Sequence, residues 1–252
     1  MKIGIVGAGT MGHVVKQYID EMEEQGQDLC CLGMAELMDG GTLEEAFSEI
    51  PDVLIDFSHP ANIGNVCTYA GTQGIPAVIA TTGCGAREEE QIRQAGRQVP
   101  IVFSANYSLG ITVLDQVVEE MAAVLGSGFD IEIIEKHHRR KKDAPSGTAL
   151  LLARAVSRGG RKGSGSDYEF TYGRYGSALR EKREIGIHAV RGGGIVGDHT
   201  VLFIGDEEVI EIKHHAQSKR IFAAGAVRAA RFAVKQKPGL YDMKDVLWTR
   251  EG

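Results

Sequence analysis

The sequence predicts an α/β protein in two parts: an N-terminal Rossmann-like, doubly wound parallel sheet and a second α+β domain built on an open mixed sheet. Over the first 107 residues, short apolar segments alternate with segments of helical periodicity. Beyond residue 129, the strand-like segments alternate apolar and polar residues, as strands with one exposed face do. The change of pattern predicts two domains with different sheets.

A glycine-rich loop follows the first predicted strand, residues 2–6. The loop, residues 7–12, reads Gly-Ala-Gly-Thr-Met-Gly, and apolar residues at helical spacing follow it. Strand, G-x-G-x-x-G and helix in this order form the dinucleotide-binding fingerprint. Gly7 permits the tight turn, Gly9 lets a pyrophosphate approach the backbone, and Gly12 lets the helix pack on the strand. The loop therefore predicts a nicotinamide-type cofactor rather than a simple strand–helix turn.

The second predicted strand, residues 28–33, ends near the place where the fingerprint expects an acid for the ribose hydroxyls. Met34 stands at that place, and Glu36 is the nearest acid. A role for Glu36 as a ribose ligand and a role as an ordinary loop charge are equally compatible with the sequence.

Three more buried strands are predicted at residues 53–57, 76–80 and 101–104. In a doubly wound sheet, ligands bind beyond the carboxyl ends of the strands. The loops at those ends are therefore expected to share one cofactor-binding edge. The cofactor contacts expected there come from Gly7, Ala8, Gly9, Thr10, Met11, Gly12, Glu36, Ala80, Thr81, Thr82, Ser104, Ala105, Asn106 and Tyr107.

The second half contains four alternating segments, at residues 129–135, 184–190, 200–204 and 208–214. Residues 158–167 are rich in Gly, Ser and Arg, which predicts a mobile loop. A last helix, about residues 220–236, is expected to return to the first domain. We therefore predict a dinucleotide-binding domain at 1–107 with 217–252, and a substrate-binding and oligomerisation domain at 108–216.

A basic stretch at residues 135–148 reads Glu-Lys-His-His-Arg-Arg-Lys-Lys-Asp-Ala-Pro-Ser-Gly-Thr. A run of cations alone is most often a solvated surface. Here it leads into Gly147 and Thr148 at a predicted helix start, where backbone N–H groups and the positive helix end favour an anion. The stretch therefore predicts a strand end, a charged loop and a carboxylate-binding helix start.

Composition excludes several classes of protein. The 28 basic and 34 acidic residues give a mildly acidic chain, which argues against general nucleic-acid binding. Cys30, Cys31, Cys67 and Cys84 lack metal-site spacing and are expected to be buried thiols of a reducing cytoplasm. The first strand begins at once, so we expect no signal peptide. We also expect no metal site and no membrane span.

Together these features predict hydride transfer between a cofactor on the first domain and a small anionic substrate on the second. The two domains would have to close on each other, because hydride passes between carbons nearly in contact. His137 could move a proton or stabilise charge, and Lys141 could act as an acid.

The stretch at 135–149 closely resembles the signature of the 4-hydroxy-tetrahydrodipicolinate reductase (dihydrodipicolinate reductase) family of lysine and diaminopimelate biosynthesis. The resemblance runs nearly end to end. It includes Ile55-Asp56-Phe57-Ser58, Thr81-Thr82-Gly83, Ala105-Asn106-Tyr107-Ser108, Arg191-Gly192-Gly193, Gly197-Asp198-His199-Thr200 and Glu211-Ile212-Lys213-His214.

The resemblance implies a reaction in which NADH or NADPH delivers hydride to C4 of the substrate ring and the 4-hydroxyl leaves as water. By position in the family signature, His137 and Lys141 match the residues assigned to acid–base work. His138, Gly147 and Thr148 match the residues that hold the carboxylates of the small dicarboxylate substrate. The family's usual assembly, a homotetramer formed through the sheet of the second domain, is expected as well.

The chain departs from the family pattern in its first loop. Members commonly have G-x-x-G-R-M-G, whose arginine can meet the 2′-phosphate of NADPH, whereas here the loop is one residue shorter and Thr10 precedes Met11. With Met34 at the expected acid position, neither cofactor is favoured, and we predict use of both.

Two other functions fit parts of the pattern. Another two-domain amino-acid dehydrogenase, such as an aspartate dehydrogenase, would not need the Pro-Ser-Gly-Thr carboxylate site beside a basic loop. A catalytically silent cofactor-sensing protein would be expected to lack His137 or Lys141, and both are present.

Overall fold

The computed structural model describes residues 1–37, 40–126, 128–165 and 167–249. The chain divides into two units, Met1–Leu109 with Lys219–Gly252, and Gly110–Ser218. Within the described residues, no helix has both the length and the apolar character that a membrane span requires.

The first unit is built on a parallel sheet. Its strands are β1 (Lys2–Val6), β2 (Cys30–Ala35), β3 (Val53–Asp56), β4 (Ala77–Ile79), β5 (Pro100–Phe103) and β11 (Gly239–Tyr241), in the order β11-β5-β4-β3-β1-β2. Every pairing in this sheet is parallel. The predicted Rossmann-like, doubly wound sheet is confirmed, and the carboxyl ends of β1 to β5 lie along one edge.

Helices cover both faces of this sheet. They are α1 (Thr10–Glu24), α2 (Leu43–Ala46), a 3₁₀ turn (Pro60–Asn62), α3 (Ile63–Gln73), α4 (Ala86–Ala95), α7 (Arg220–Ala233) and α8 (Met243–Trp248). One core cluster joins Ile3 and Ile5 to α1 and α7, and the other joins Val6 and Leu54 to α3 and α4. Successive strand residues point to opposite faces, so each of the strands β1 to β5 contributes to both clusters. Helix α7, which corresponds to the helix predicted at about residues 220–236, packs on the first unit as predicted. It is not the last helix, because α8 follows it.

Strand β2 extends further than the sequence indicated. It ends at Ala35 rather than at Gly33, and Met34 lies within it. A Cβ at Gly33 would lie 2.6 Å from the carbonyl oxygen of Ala46, so this glycine allows α2 to approach the strand instead of ending it. Glu36 is therefore the first residue after the strand.

The second unit is built on a mixed sheet, as predicted. Its strands are β6 (Asp130–His137), β7 (Glu169–Tyr172), β8 (Glu184–Arg191), β9 (Gly197–Ile204) and β10 (Val209–Ala216), in the order β10-β9-β6-β8-β7. Strand β6 pairs parallel with β8 and antiparallel with β9. Strand β7 was not predicted, and several boundaries differ from prediction. The differences that matter for the site are that His137 lies in β6 and His199 lies in β9 rather than in the neighbouring loops.

One face of this sheet is covered by α5 (Leu109–Leu125) and α6 (Gly147–Ser164). The predicted mobile loop at 158–167 is wrong, because most of that segment is the last part of α6. Its glycines allow close helix packing: a Cβ at Gly159 would lie 2.1 Å from the carbonyl oxygen of Glu119. Arg158 also forms ion pairs with Asp115 and Glu119 of α5, at 3.1 Å and 2.8 Å.

Candidate active site

The glycine loop after β1 has two positions, Gly7 and Gly12, that require glycine. Gly7 has φ of +100°, and its N–H donates to the carbonyl oxygen of Ala35 at 2.8 Å. A Cβ at Gly12 would lie 1.9 Å from the carbonyl oxygen of Gly7, so α1 can begin this close to the loop only without a side chain there. These contacts match the roles predicted for the first and third glycines of the fingerprint.

The start of α1 has the features of a pyrophosphate site. Gly9 is the N-cap of α1, and a Cβ placed on it would have no atom within 4 Å. Thr10 and Met11 form the first turn, whose N–H groups lack helical acceptors in any α-helix. Open space in front of such N–H groups suits the close approach of a phosphate. The residues present therefore fit a dinucleotide.

Glu36 lies at the carboxyl end of β2, beside the glycine loop. Its Oε2 accepts a hydrogen bond from the N–H of Ala8 at 3.3 Å. The carboxyl end of the second strand is where an acid would meet the adenine ribose in this fold. The structure thus brings Glu36 to the glycine loop and leaves Met34 in the strand, 3.6 Å from a Cβ built on Gly12.

The loops after β3 and β4 are joined through a buried acid to which the sequence assigned no role, although it lies in the family motif at residues 55–58. Asp56 is fully buried, and its Oδ1 accepts from the N–H and Oγ of Ser58 at 3.1 Å and 2.5 Å. The same N–H lies 2.9 Å from Oγ1 of Thr81. Burial raises the pKa of Asp56, although hydrogen bonds from Ser58 and Thr81 oppose that rise. Asp56 therefore fixes the predicted cofactor-binding loop at Ala80, Thr81 and Thr82.

The loop after β5 holds the remaining predicted cofactor contacts, Ser104, Ala105, Asn106 and Tyr107. The Tyr107 side chain is buried in the core, with its hydroxyl 2.9 Å from the carbonyl oxygens of both Ile79 and Val102. Burial raises the pKa of that hydroxyl well above its ordinary value. The side chain of Tyr107 thus supports the loop from within the core, and it is not itself in a position to contact a cofactor.

In the second unit, one face of the sheet changes from apolar to polar at the end of β6. Ile131 and Ile133 are buried against the helices, and Glu135 and His137 continue the same face. Arg191 of β8 pairs with His137, and His199 of β9 pairs with Glu135. Because side chains alternate along strands, all four polar residues lie on one face.

Glu135 and His137 form a hydrogen-bonded pair. Glu135 Oε2 lies 2.6 Å from His137 Nδ1, and both oxygens of Glu135 accept from Arg191, at 2.7 Å and 2.6 Å. Burial acts to raise the pKa of Glu135, but hydrogen bonds from Arg191 and His137 outweigh it and the pKa is lowered. Burial lowers the pKa of His137 in spite of the opposing effect of Glu135. The pair is therefore a carboxylate and a neutral imidazole at neutral pH.

The start of α6 lies against this pair. The N–H of Ser146 donates to Glu135 Oε1 at 3.0 Å, and Ser146 Oγ caps the helix by accepting from the N–H of Ala149 at 3.1 Å. Ser146 Oγ is also 2.9 Å from Nε2 of His199, whose ring packs edge-on against His137 at 5.2 Å between centroids. Burial lowers the pKa of His199 to about 3, so this imidazole is neutral too.

The predicted carboxylate-binding residues Gly147 and Thr148 form the first turn of α6. Gly147 is exposed and Thr148 is half-buried. A Cβ built on Gly147 would have no atom within 4 Å. The helix start is therefore open to a ligand on the side of Gly147.

The basic loop joins β6 to α6. The N–H of Lys141 donates to the carbonyl oxygen of His138 at 3.1 Å, and Lys141 Nζ lies 2.9 Å from Asp143 Oδ2. Arg191 Nη2 donates to the carbonyl oxygen of Asp143 at 2.6 Å, which ties the loop to β8. Nδ1 of His138 is buried and has no hydrogen-bond partner among the described residues. Arg139, Arg140 and Lys142 are exposed, as expected of a solvated surface.

Four residues of these sites, Asp56, Glu135, Arg191 and His199, were given no role by the sequence analysis. The signal for Glu135 was available, because Glu-x-His at the end of an alternating strand places both side chains on one face. Arg191 and His199 could not be found in this way, since their partners depend on which strands pair and in what register.

A doubly wound unit with a dinucleotide fingerprint, joined to a mixed-sheet unit with a histidine–carboxylate pair at a helix start, defines a two-domain NAD(P)-dependent oxidoreductase. Family models described as dihydrodipicolinate reductase, N-terminus and C-terminus, match residues 1–107 and 110–247. The chain belongs to the dihydrodipicolinate reductase family.

Relatives of this chain carry the name 4-hydroxy-tetrahydrodipicolinate reductase. The protein from Caldanaerobacter subterraneus subsp. tengcongensis is 52% identical over 200 residues, which are 79% of this chain and 78% of that protein. The protein from Brachyspira hyodysenteriae is 43% identical over 247 residues, which cover 98% of this chain and 100% of that protein. A dipicolinate-bound dihydrodipicolinate reductase from Paenisporosarcina sp. TG-14 shares the fold, with a TM-score of 0.73 at 20% identity over 98% of this chain and 99% of that one.

Proposed function

We propose that the protein reduces 4-hydroxy-tetrahydrodipicolinate to tetrahydrodipicolinate in lysine and diaminopimelate biosynthesis. The observation that supports the proposal is that the buried Glu135 contacts both the ring of the neutral His137 and the N–H of Ser146 at the start of α6. The net reaction takes up one hydride and one proton and releases the 4-hydroxyl as water. A bound NAD(P)H supplies the hydride, and the chain must supply the proton and hold the ring.

We assign the proton transfers to His137 and Lys141. Since Nδ1 of His137 is committed to Glu135, Nε2 is the nitrogen that can exchange a proton with the substrate. Gly197 leaves room beside it, because a Cβ there would lie 3.1 Å from Nε2. The Lys141 ammonium group donates the proton that the reaction consumes. A proton that Nε2 of His137 takes from the ring is returned to the ring in the same turnover, so the net uptake stays at one proton.

Substrate binding is assigned to His138, Gly147 and Thr148. The two carboxylates of the substrate would meet the helix start and the basic loop, where positive charge is concentrated. Dipicolinate, the ligand named for the Paenisporosarcina enzyme, carries two carboxylates on a six-membered ring and is the natural probe for this site.

Cofactor binding is assigned to the edge formed by the loops after β1, β2, β4 and β5. The glycine loop, Thr10 and Met11 would hold the pyrophosphate and Glu36 the adenine ribose. The loops at Ala80, Thr81 and Thr82 and at Ser104, Ala105, Asn106 and Tyr107 would hold the nicotinamide half.

We expect the enzyme to use both NADH and NADPH, with kcat/KM values within about a hundredfold of each other, or 2.7 kcal/mol. Glu36 sits where it can accept from a 2′-hydroxyl and repel a 2′-phosphate. Glu36→Gln should therefore raise the ratio of kcat/KM for NADPH over NADH by about tenfold. Steady-state kinetics with both cofactors measures each quantity. A wild-type preference beyond a hundredfold contradicts dual use, and an unchanged ratio in Glu36→Gln removes Glu36 from the ribose site.

We further propose that residues 1–107 with 217–252 act as the dinucleotide-binding domain and residues 108–216 as the substrate-binding domain. The sheet of the latter exposes apolar side chains, Val190 at 45% and Val209 at 59%, which supports assembly of a homotetramer through it. Light scattering would measure the mass in solution. Of the four free thiols, Cys67 is buried, but the expected burial is wrong for Cys30, Cys31 and Cys84, which are half-buried. The free thiols and the cofactor requirement support a cytoplasmic location, which fractionation of cells would test.

The proposed function is tested by NADPH oxidation in the presence of the freshly made condensation product of aspartate semialdehyde and pyruvate. We expect absorbance at the reduced nicotinamide band to fall only when protein and condensation product are both present. The absence of oxidation across the pH range in which the protein stays folded would overturn the assignment.

A further inference from the structure

Glu135 is a buried carboxylate for which the proposed reaction has no direct use. Its side chain is completely buried, and each of its oxygens accepts two hydrogen bonds. Oε1 accepts from the N–H of Ser146 at 3.0 Å and from Nη2 of Arg191 at 2.6 Å. Oε2 accepts from Nη1 of Arg191 at 2.7 Å and from Nδ1 of His137 at 2.6 Å. All four acceptor positions of the carboxylate are thus in use.

Two of the partners hold Glu135 in place. A backbone N–H and a guanidinium group can only donate, so Oε1 and one side of Oε2 face groups that require an acceptor. The guanidinium is itself held by the carbonyl oxygens of Val190 and Asp143, at 2.8 Å and 2.6 Å. The position of the carboxylate is therefore set by β8 and by the start of α6.

The third partner is the histidine to which the proposed function assigns a proton transfer. A carboxylate can only accept, so Nδ1 of His137 carries the proton in this contact and Nε2 keeps its lone pair. The ring is enclosed further by His199, and the charges of Lys141 and Arg191 act on it. Of these neighbours, Glu135 alone forms a hydrogen bond with the His137 ring among the described residues.

We infer that Glu135 is a positioning residue that holds His137 as the tautomer with the proton on Nδ1, so that Nε2 faces the reaction as a proton acceptor. The inference rests on the proposed function for the meaning of that tautomer, although the tautomer itself can be observed without any turnover.

The Glu135→Gln variant predicts a change of tautomer, because the amide oxygen can only accept a hydrogen bond and the amide nitrogen can only donate one. The N–H of Ser146 and Arg191 Nη2 both require an acceptor, so the amide oxygen should take the place of Oε1. The amide nitrogen then takes the place of Oε2, where it loses the hydrogen bond from Arg191 Nη1 and donates to Nδ1 of His137. The imidazole must move its proton to Nε2, which turns that atom from an acceptor into a donor.

The experiment combines kinetics with nitrogen-15 NMR of the histidine side chains, with the His137 signals assigned from a His137→Asn variant. In wild-type protein we expect the proton on Nδ1. In Glu135→Gln we expect it on Nε2, with kcat lowered at least about tenfold. The Kd of dipicolinate, measured by calorimetry, should change less than about threefold, since the start of α6 keeps its hydrogen bond to residue 135.

Glu132→Gln is the matched control. Glu132 lies on the opposite face of β6 and contacts His188 Nε2 at 2.7 Å and Arg180 Nε at 3.1 Å. The Glu132→Gln variant removes a carboxylate from the same strand, and that carboxylate also contacts a histidine and an arginine. It should leave the His137 tautomer unchanged, and kcat should change by less than about threefold.

A lower kcat in Glu135→Gln with an unchanged tautomer would mean a merely structural role and would overturn the inference, as would a wild-type proton on Nε2. If Glu135→Gln does not fold, Glu135→Asp replaces it, and its retained carboxylate should keep the proton on Nδ1. A proton on Nε2 in that variant overturns the inference as well. Wild-type protein with no reductase activity but with the proton on Nδ1 would reject the proposed reaction and leave the role of Glu135 intact.

Discussion

Replacing Lys141 by alanine is expected to lower kcat by roughly 10² or more, the loss typical of a missing general acid. The ammonium group is held 2.9 Å from Asp143, whose backbone carbonyl is bound by Arg191, so the loop presents this lysine in a fixed place. The reaction consumes one proton for each hydride, and the variant would have to take that proton from water. The measurement is steady-state kcat at saturating substrate and cofactor.

Lys142→Ala is the matched control for this variant. Lys142 is an exposed cation of the same loop, and no contact described above gives it a role. Removing its charge should change kcat by less than about twofold. Equal losses in the two variants would mean that the loop acts only through its total charge, and an unchanged kcat in Lys141→Ala would remove Lys141 from proton transfer.

Replacing Gly12 by alanine is expected to destabilise the fold, whereas replacing Gly9 by alanine should weaken only cofactor binding. At Gly12 the new Cβ would lie 1.9 Å from the backbone oxygen of Gly7, a contact that no side-chain movement can relieve. Overpacking of this kind costs roughly 1–3 kcal/mol, which should lower the unfolding midpoint by several degrees, up to about 10 °C.

At Gly9 the new Cβ would point into open space, and the backbone there has φ of −75°, which alanine adopts without strain. The unfolding midpoint should therefore stay within about 2 °C of wild type. The Kd of NADH should rise by at least about tenfold, because the methyl group occupies the space through which a pyrophosphate reaches the backbone. Thermal melts and fluorescence titrations separate the two effects. Wild-type affinity in Gly9→Ala would place the pyrophosphate elsewhere.

Local chemistry in the sequence was enough to predict the first unit. The glycine loop spans six consecutive residues, and the strand before it and the helix after it can be predicted from the spacing of apolar residues. The fingerprint could therefore be recognised without knowing any contact between distant parts of the chain. Gly33 shows the limit of this reasoning: it reads as the end of a strand, but the structure uses it for the approach of α2. The glycines in residues 158–167 led to the wrong prediction of a loop for the same reason. Gly159 lies in α6 and allows this helix to contact α5 closely.

The site of the second unit was predicted only in part. His137, His138, Lys141, Gly147 and Thr148 lie within one short stretch, so their residue types and order could be recognised along the chain. Placing His137 in a loop was wrong, because the hydrogen bonds that extend β6 to this residue come from β8 and β9.

The sequence by itself determined the fold class, the glycine loop and the order of the basic loop before α6. These depend on backbone preferences, apolar spacing and charges among residues close together in the chain. Only the tertiary structure decided that Glu135 is a buried carboxylate, that Arg191 and Ser146 hold it, and that His199 lies beside His137. Those contacts join residues 11 to 62 positions apart. They exist only because strand pairing sets the register and burial makes each hydrogen bond necessary.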